Sequence, residues 1–113
     1  GEDGSLYFQT YTDMVEIEIG ELKQNLRALS EGWIRQQVLS RREAKQPAWV
    51  RVWVKASGID TVLSTGGCPA LPFRGREPNI RERQLHGLWA EEGLNESDFS
   101  VETLVAFIKR VDR

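Results

Sequence analysis

The clearest pattern in the chain is the alternation through Ala48-Trp49-Val50-Arg51-Val52-Trp53-Val54-Lys55-Ala56. A period of two puts Val50, Val52 and Val54 on one face of a β-strand and Trp49, Arg51, Trp53 and Lys55 on the other. Ser57-Gly58-Ile59-Asp60 reads as a turn, and Thr61-Val62-Leu63-Ser64-Thr65 as the antiparallel partner. Upstream, Val15, Ile17 and Ile19 alternate with Glu16 and Glu18, the pattern of a strand. Val15, Ile19, Leu22, Leu26, Leu29 and Trp33 also step by three and four, the pattern of a helix. Three β-branched residues within Val15–Ile19 disfavour a helix start there. The pattern therefore predicts a short strand, Val15–Ile19, then a helix from about Gly20 to Glu43. Its stripe is Leu22, Leu26, Leu29 and Trp33, continued by Ile34, Val38 and Leu39. Gly32 interrupts that helix at a cost of about 1 kcal/mol relative to alanine. Arg35, Arg41, Arg42 and Lys45 gather towards its C-terminal end, where cations suit the helix dipole, and Pro47 ends it.

Residues 66–75 read as a loop. Pro78 is expected as the first residue of a helix reaching about Glu92, with Ile80, Leu85, Leu88 and Trp89 inward and Gly93 as its stop. Asn95 to Asp98 is a polar linker. Ser100 caps a last helix in which Leu104, Val105, Phe107, Ile108 and Val111 leave more than one face apolar. Such a helix belongs in the core or in a dimer contact. Residues 1–12 read as an extended N-terminal segment, with strand propensity over Ser5–Thr12. Leu6-Tyr7-Phe8-Gln9 matches the core of a common protease-tag cleavage site, so a partly tag-derived origin stays open. The order is β-α-β-β-α-α, with an extra N-terminal strand as an option. That order implies an α+β fold, a small antiparallel sheet with helices packed on one face. At 113 residues, a single domain over 1–113 is expected.

Composition adds little to this picture. Hydrophobic residues are 40% and charged residues 28%, an ordinary globular mixture. A single cysteine, Cys68, excludes an internal disulfide and suits a reducing compartment. No apolar run approaches the roughly 18–20 residues of a membrane span, and no secretory leader pattern is visible. A cytoplasmic protein without a membrane partner is the expectation.

Charge changes the picture more. The net charge is −2, but residues 35–83 hold ten Lys/Arg against Glu43, Asp60, Glu77 and Glu82, and both flanking thirds are acidic. The three segments either neutralise one another across the surface or leave a basic patch for nucleic acid or an acidic partner.

The face bearing Trp49, Arg51, Trp53 and Lys55 is the strongest candidate for binding. Two indoles and two cations at this spacing suit a protein interface, where Trp and Arg serve as anchors. They also suit stacked bases and phosphates. A strand buried on both sides, with Arg51 lying over an indole, explains the same residues without any ligand. Arg41, Arg42, Arg74 and Arg76 extend the basic surface.

Catalytic outlines are thin. Cys68 and Arg74 stand as in the Cys-x5-Arg loop of cysteine phosphatases, but Pro69 and Pro72 remove two of the backbone N–H groups that such a loop needs. His86, the only histidine, could serve Cys68 as a base, yet no third orienting group is signalled. No metal ligand set and no cofactor motif is present. From Leu88 to Val111 the chain is helix–turn–helix in order, but the second helix is too apolar to read a groove. The sequence thus predicts a protein without catalysis, binding a protein partner or a second copy of itself. Nucleic-acid binding by the basic middle third is the first alternative, and a Cys68-dependent enzyme the second.

Overall fold

The computed structural model describes residues 14–26, 30–71 and 76–111. In chain order these form β1 (Met14–Ile19), β2 (Leu22–Asn25), α1 (Glu31–Glu43), β3 (Val50–Ala56), β4 (Ile59–Ser64), α2 (Ile80–Glu91) and α3 (Val101–Val111). The strands make one antiparallel sheet in the order β2-β1-β3-β4, and the helices pack on one face of it. This is the α+β architecture that the alternations imply. The N-terminal segment 1–12, with its proposed extra strand, lies outside the described residues.

The helix expected from Gly20 to Glu43 is corrected. Gly20 adopts φ +61° and, with Glu21, makes a two-residue hairpin loop that sets Ile19 opposite Leu22. Positive φ at the first loop position is the type II′ pattern, whose twist suits paired strands. The turn is fixed from outside as well. The Gly20 N–H donates to the Trp49 carbonyl at 3.2 Å, and the Arg41 guanidinium lies where a Cβ on residue 20 would stand. Leu22–Asn25 therefore pairs with β1, and Leu22 is exposed where a helix stripe would have buried it. The helix begins only after Ser30, whose side chain accepts the Trp33 N–H at 3.2 Å. Gly32 falls in the first turn, so α1 has no mid-helix glycine. Leu29, from the expected stripe, lies outside the described residues.

The core follows the alternation. Val15, Ile17 and Ile19 of β1, Val50, Val52 and Val54 of β3, and Ile59 and Leu63 of β4 face the helices. Ile34 and Val38 of α1 cover them, with Leu85 and Trp89 of α2. The third helix buries Val101, Leu104, Val105, Phe107, Ile108 and Val111. Its apolar excess is thus spent inside one chain, and its Phe107 meets Trp89 edge to face at 5.2 Å.

Two details of α2 differ from expectation. Pro78 precedes the helix, and Asn79 caps it in a reciprocal capping box with Glu82. Ile80, expected inward, is 67% exposed at the first turn. Gly93, at φ +74°, closes the helix as the sequence suggested. Among the described residues, no helix is long and apolar enough to cross a membrane.

Candidate functional site

The face of the sheet that none of the described helices covers, called the helix-free face below, carries four of the predicted binding residues, and register shows what surrounds them. Trp53 of β3 lies between Glu16 of β1 and Val62 of β4. On the next rungs, Arg51 lies between Glu18 and Ser64, and Lys55 between Met14 and Asp60. Lys23 and Asn25 of β2 complete the face opposite Glu18 and Glu16. Met14, 43% exposed, stands diagonal to Trp53. Met14, Trp53 and Val62 thus make a small apolar island.

Charges surround the island in opposed pairs. Lys23 Nζ sits 3.7 Å from Glu16 and 4.1 Å from the centre of the Trp53 ring. Glu18 Oε1 accepts the Trp53 indole N–H at 3.2 Å and lies 3.8 Å from Arg51 Nη1. Lys55 faces Asp60 across the β3–β4 pair. Glu18, Lys23, Met14 and Val62 were not singled out by the sequence. The Glu alternation in Val15–Ile19 signalled a polar face, but nothing local says that β1 pairs with β3.

Trp49 and Arg51 point to this side but are buried, at 8% and 6% exposure. The Arg51 guanidinium lies 5.1 Å from the centre of the Trp49 ring. Its Nε and Nη2 are buried and have no hydrogen-bond partner among the described residues. Only Trp53, half-buried, and Lys55, exposed, present surface to solvent.

The other predicted residues are dispersed. Arg42 donates from Nη2 to the Phe99 carbonyl at 2.8 Å and stacks on the Phe99 ring at 4.6 Å, so it ties α1 to the segment before α3. Arg41 meets Trp49 in a second place, an open groove of about 430 Å³. Leu22, Pro47 and Pro69 line it too, at the end of the sheet beside the Gly20 turn. Arg74 lies outside the described residues.

Arg76 belongs to a clasp around a buried carboxylate. Its Nη1 and Nη2 donate to Glu82 at 2.8 and 2.6 Å, and the Asn79 and Asp60 N–H groups donate to the same carboxylate at 2.8 and 2.7 Å. Glu82 is 1% exposed. The Arg76 bonds foremost, helped by the two backbone donors, push its pKa down to about 2 against the cost of burial.

The clasp closes one edge of the sheet. Thr65 N–H bonds the Val50 carbonyl, so the Asp60, Val62 and Ser64 main-chain groups point away from β3. Glu82 takes the Asp60 N–H, Arg76 Nη2 donates to the Asp60 carbonyl at 3.0 Å, and Trp89 Nε1 donates to the Ser64 carbonyl at 3.0 Å. Helix α2 thereby lies along β4 and occupies the positions a further strand would need.

Cys68 and His86 do not form a pair. Cys68 Sγ contacts the Val50 carbonyl at 3.6 Å and Thr65 Oγ1 at 4.0 Å, whereas His86 Nε2 bonds Thr61 Oγ1 at 2.7 Å, further along β4. Desolvation lowers the His86 pKa while nearby Glu82 opposes that shift, although the residue as a whole is exposed. Among the described residues, no three of His, Cys, Asp and Glu come together as metal ligands.

The sequence matches no protein-family model, and no curated protein or solved structure matches it. Function is therefore read from this geometry alone.

Proposed function

We propose that the protein works without catalysis, by docking a protein partner on the helix-free face of its sheet. One observation carries this reading: Trp53 stands with Met14 and Val62 inside a rim of opposed charges. An apolar centre with a polar rim is how protein interfaces are built, and tryptophan is the residue most often found as their anchor. The charge balance favours a protein over a nucleic acid. A phosphate backbone is held by cations that exchange counterions for it, and here Lys23 and Lys55 each already face a carboxylate.

The test is Trp53→Ala. Its half-exposed position lets the fold survive, which circular dichroism would verify. Association, measured by sedimentation for self-assembly and on the immobilised protein for other partners, is expected to weaken by about 2 kcal/mol, roughly thirtyfold. Unchanged association in Trp53→Ala removes the reading. So does oligonucleotide binding by the wild type that falls steeply with salt.

A further inference from the structure

We infer that Arg51 is the partner's docking anchor, and that the group it takes is a carboxylate. This rests on the interface reading and names the chemistry of the partner at that site.

A guanidinium removed from water needs its N–H groups satisfied, and leaving them unmade is costly. Three other arginines close such bonds although water still reaches them. Arg35 donates from Nε and Nη2 to the two oxygens of Glu102 at 2.8 and 2.7 Å. Arg76 grips Glu82 at 2.8 and 2.6 Å, and Arg42 holds the Phe99 carbonyl at 2.8 Å. Arg51 departs from this pattern. It is nine-tenths buried, its carboxylate neighbour among the described residues, Glu18, is 3.8 Å away, and that oxygen already receives the Trp53 indole N–H.

The two unpartnered atoms are the informative part. Nε and Nη2 form the side of the guanidinium whose two N–H bonds run parallel, matching both oxygens of one carboxylate. Arg35 uses this same fork on Glu102. On Arg51 the fork lies beneath the face that carries the Trp53 island, with the Trp49 ring stacked on the guanidinium. A partner covering the island with an Asp, a Glu or a C-terminus would supply the two acceptors. Neither atom has exposed surface, so a neighbouring ring must give way, and Trp49 is placed to report it.

The experiment compares wild type with Arg51→Met, which keeps length and removes the fork. Sodium acetate is titrated against sodium chloride at equal ionic strength, with tryptophan fluorescence as the readout and thermal unfolding of both proteins alongside. We expect Arg51→Met to raise Tm by a few degrees, because an unsatisfied buried cation is gone. A saturable acetate response is expected in the wild type and not in the variant. A lower Tm in Arg51→Met would make the guanidinium a structural part of the fold and overturn the inference. An absent acetate response, or an equal one in both proteins, would overturn it too. A tighter response to inorganic phosphate would overturn the choice of carboxylate. None of these outcomes depends on Trp53→Ala, so the anchor and the interface can fail separately.

Discussion

Arg76 and Arg51 both stand beside a glutamate, and burial is distributed oppositely in the two pairs. At the β4 edge the acid is buried and the base is half in water: Glu82 is 1% exposed and receives four donors. At the centre of β3 the base is buried, Glu18 is only partly so, and no bond closes between them at 3.8 Å. The first arrangement completes a charge by surrounding it with backbone and side chain from the segment leading into α2 and from β4. The second leaves a cation whose needs the described residues do not meet. A fully satisfied buried charge locks a fold, whereas a partly satisfied one marks a place where stability is spent for another purpose.

The sharpest way to break the contrast is to damage the satisfied pair. Glu82→Gln keeps the shape but removes the charge, and should cost about 3 kcal/mol, read as a lower urea midpoint with unchanged slope. The same residue predicts a pH dependence. Its folded pKa lies below the ordinary carboxyl value of 4.5, so its contribution is complete above that pH and is lost as pH falls towards 2. Wild type should lose stability across that window, and Glu82→Gln should lose correspondingly less. Arg76→Met comes next, at about 2 kcal/mol, because two backbone N–H groups still hold the stranded carboxylate. Opposite signs for Arg76→Met and Arg51→Met would sharpen the comparison, and equal losses would erase it. The smallest effect is Asn79→Ala, about 1 kcal/mol, since it removes the cap while leaving the clasp in place.

The sequence made the strands of the core legible because period-two alternation admits few readings. β1, β3 and β4 appear within two residues of where the alternation put them. It failed at Leu22–Asn25, which the helical period claimed through Leu22 and Leu26, whereas Gly20 turns the chain there through a loop held from a distance by Trp49 and Arg41. For the site, parity along β3 correctly grouped Trp49, Arg51, Trp53 and Lys55. It could not show that Trp49 and Arg51 are buried, because burial depends on neighbours far along the chain. Arg76 looked like part of a basic surface for the same reason. Its partner, Glu82, reads locally as one more charged residue on a helix, and only the capping position after Asn79 hints at a structural duty.

The covered edge of β4 also bears on how the chain behaves when it is cut or partly unfolded. Ile59-Asp60-Thr61-Val62-Leu63-Ser64 is rich in residues that favour cross-β stacking, and Asp60 is its only formal charge. While α2 is docked, Glu82, Arg76 and Trp89 occupy its outward main-chain groups at Asp60 and Ser64. A nick in the connection between β4 and α2 would let the helix drift away and uncover a ready template for fibrils. Docked there, α2 and the segment before it keep both main-chain groups of Asp60 and the Ser64 carbonyl from a foreign strand.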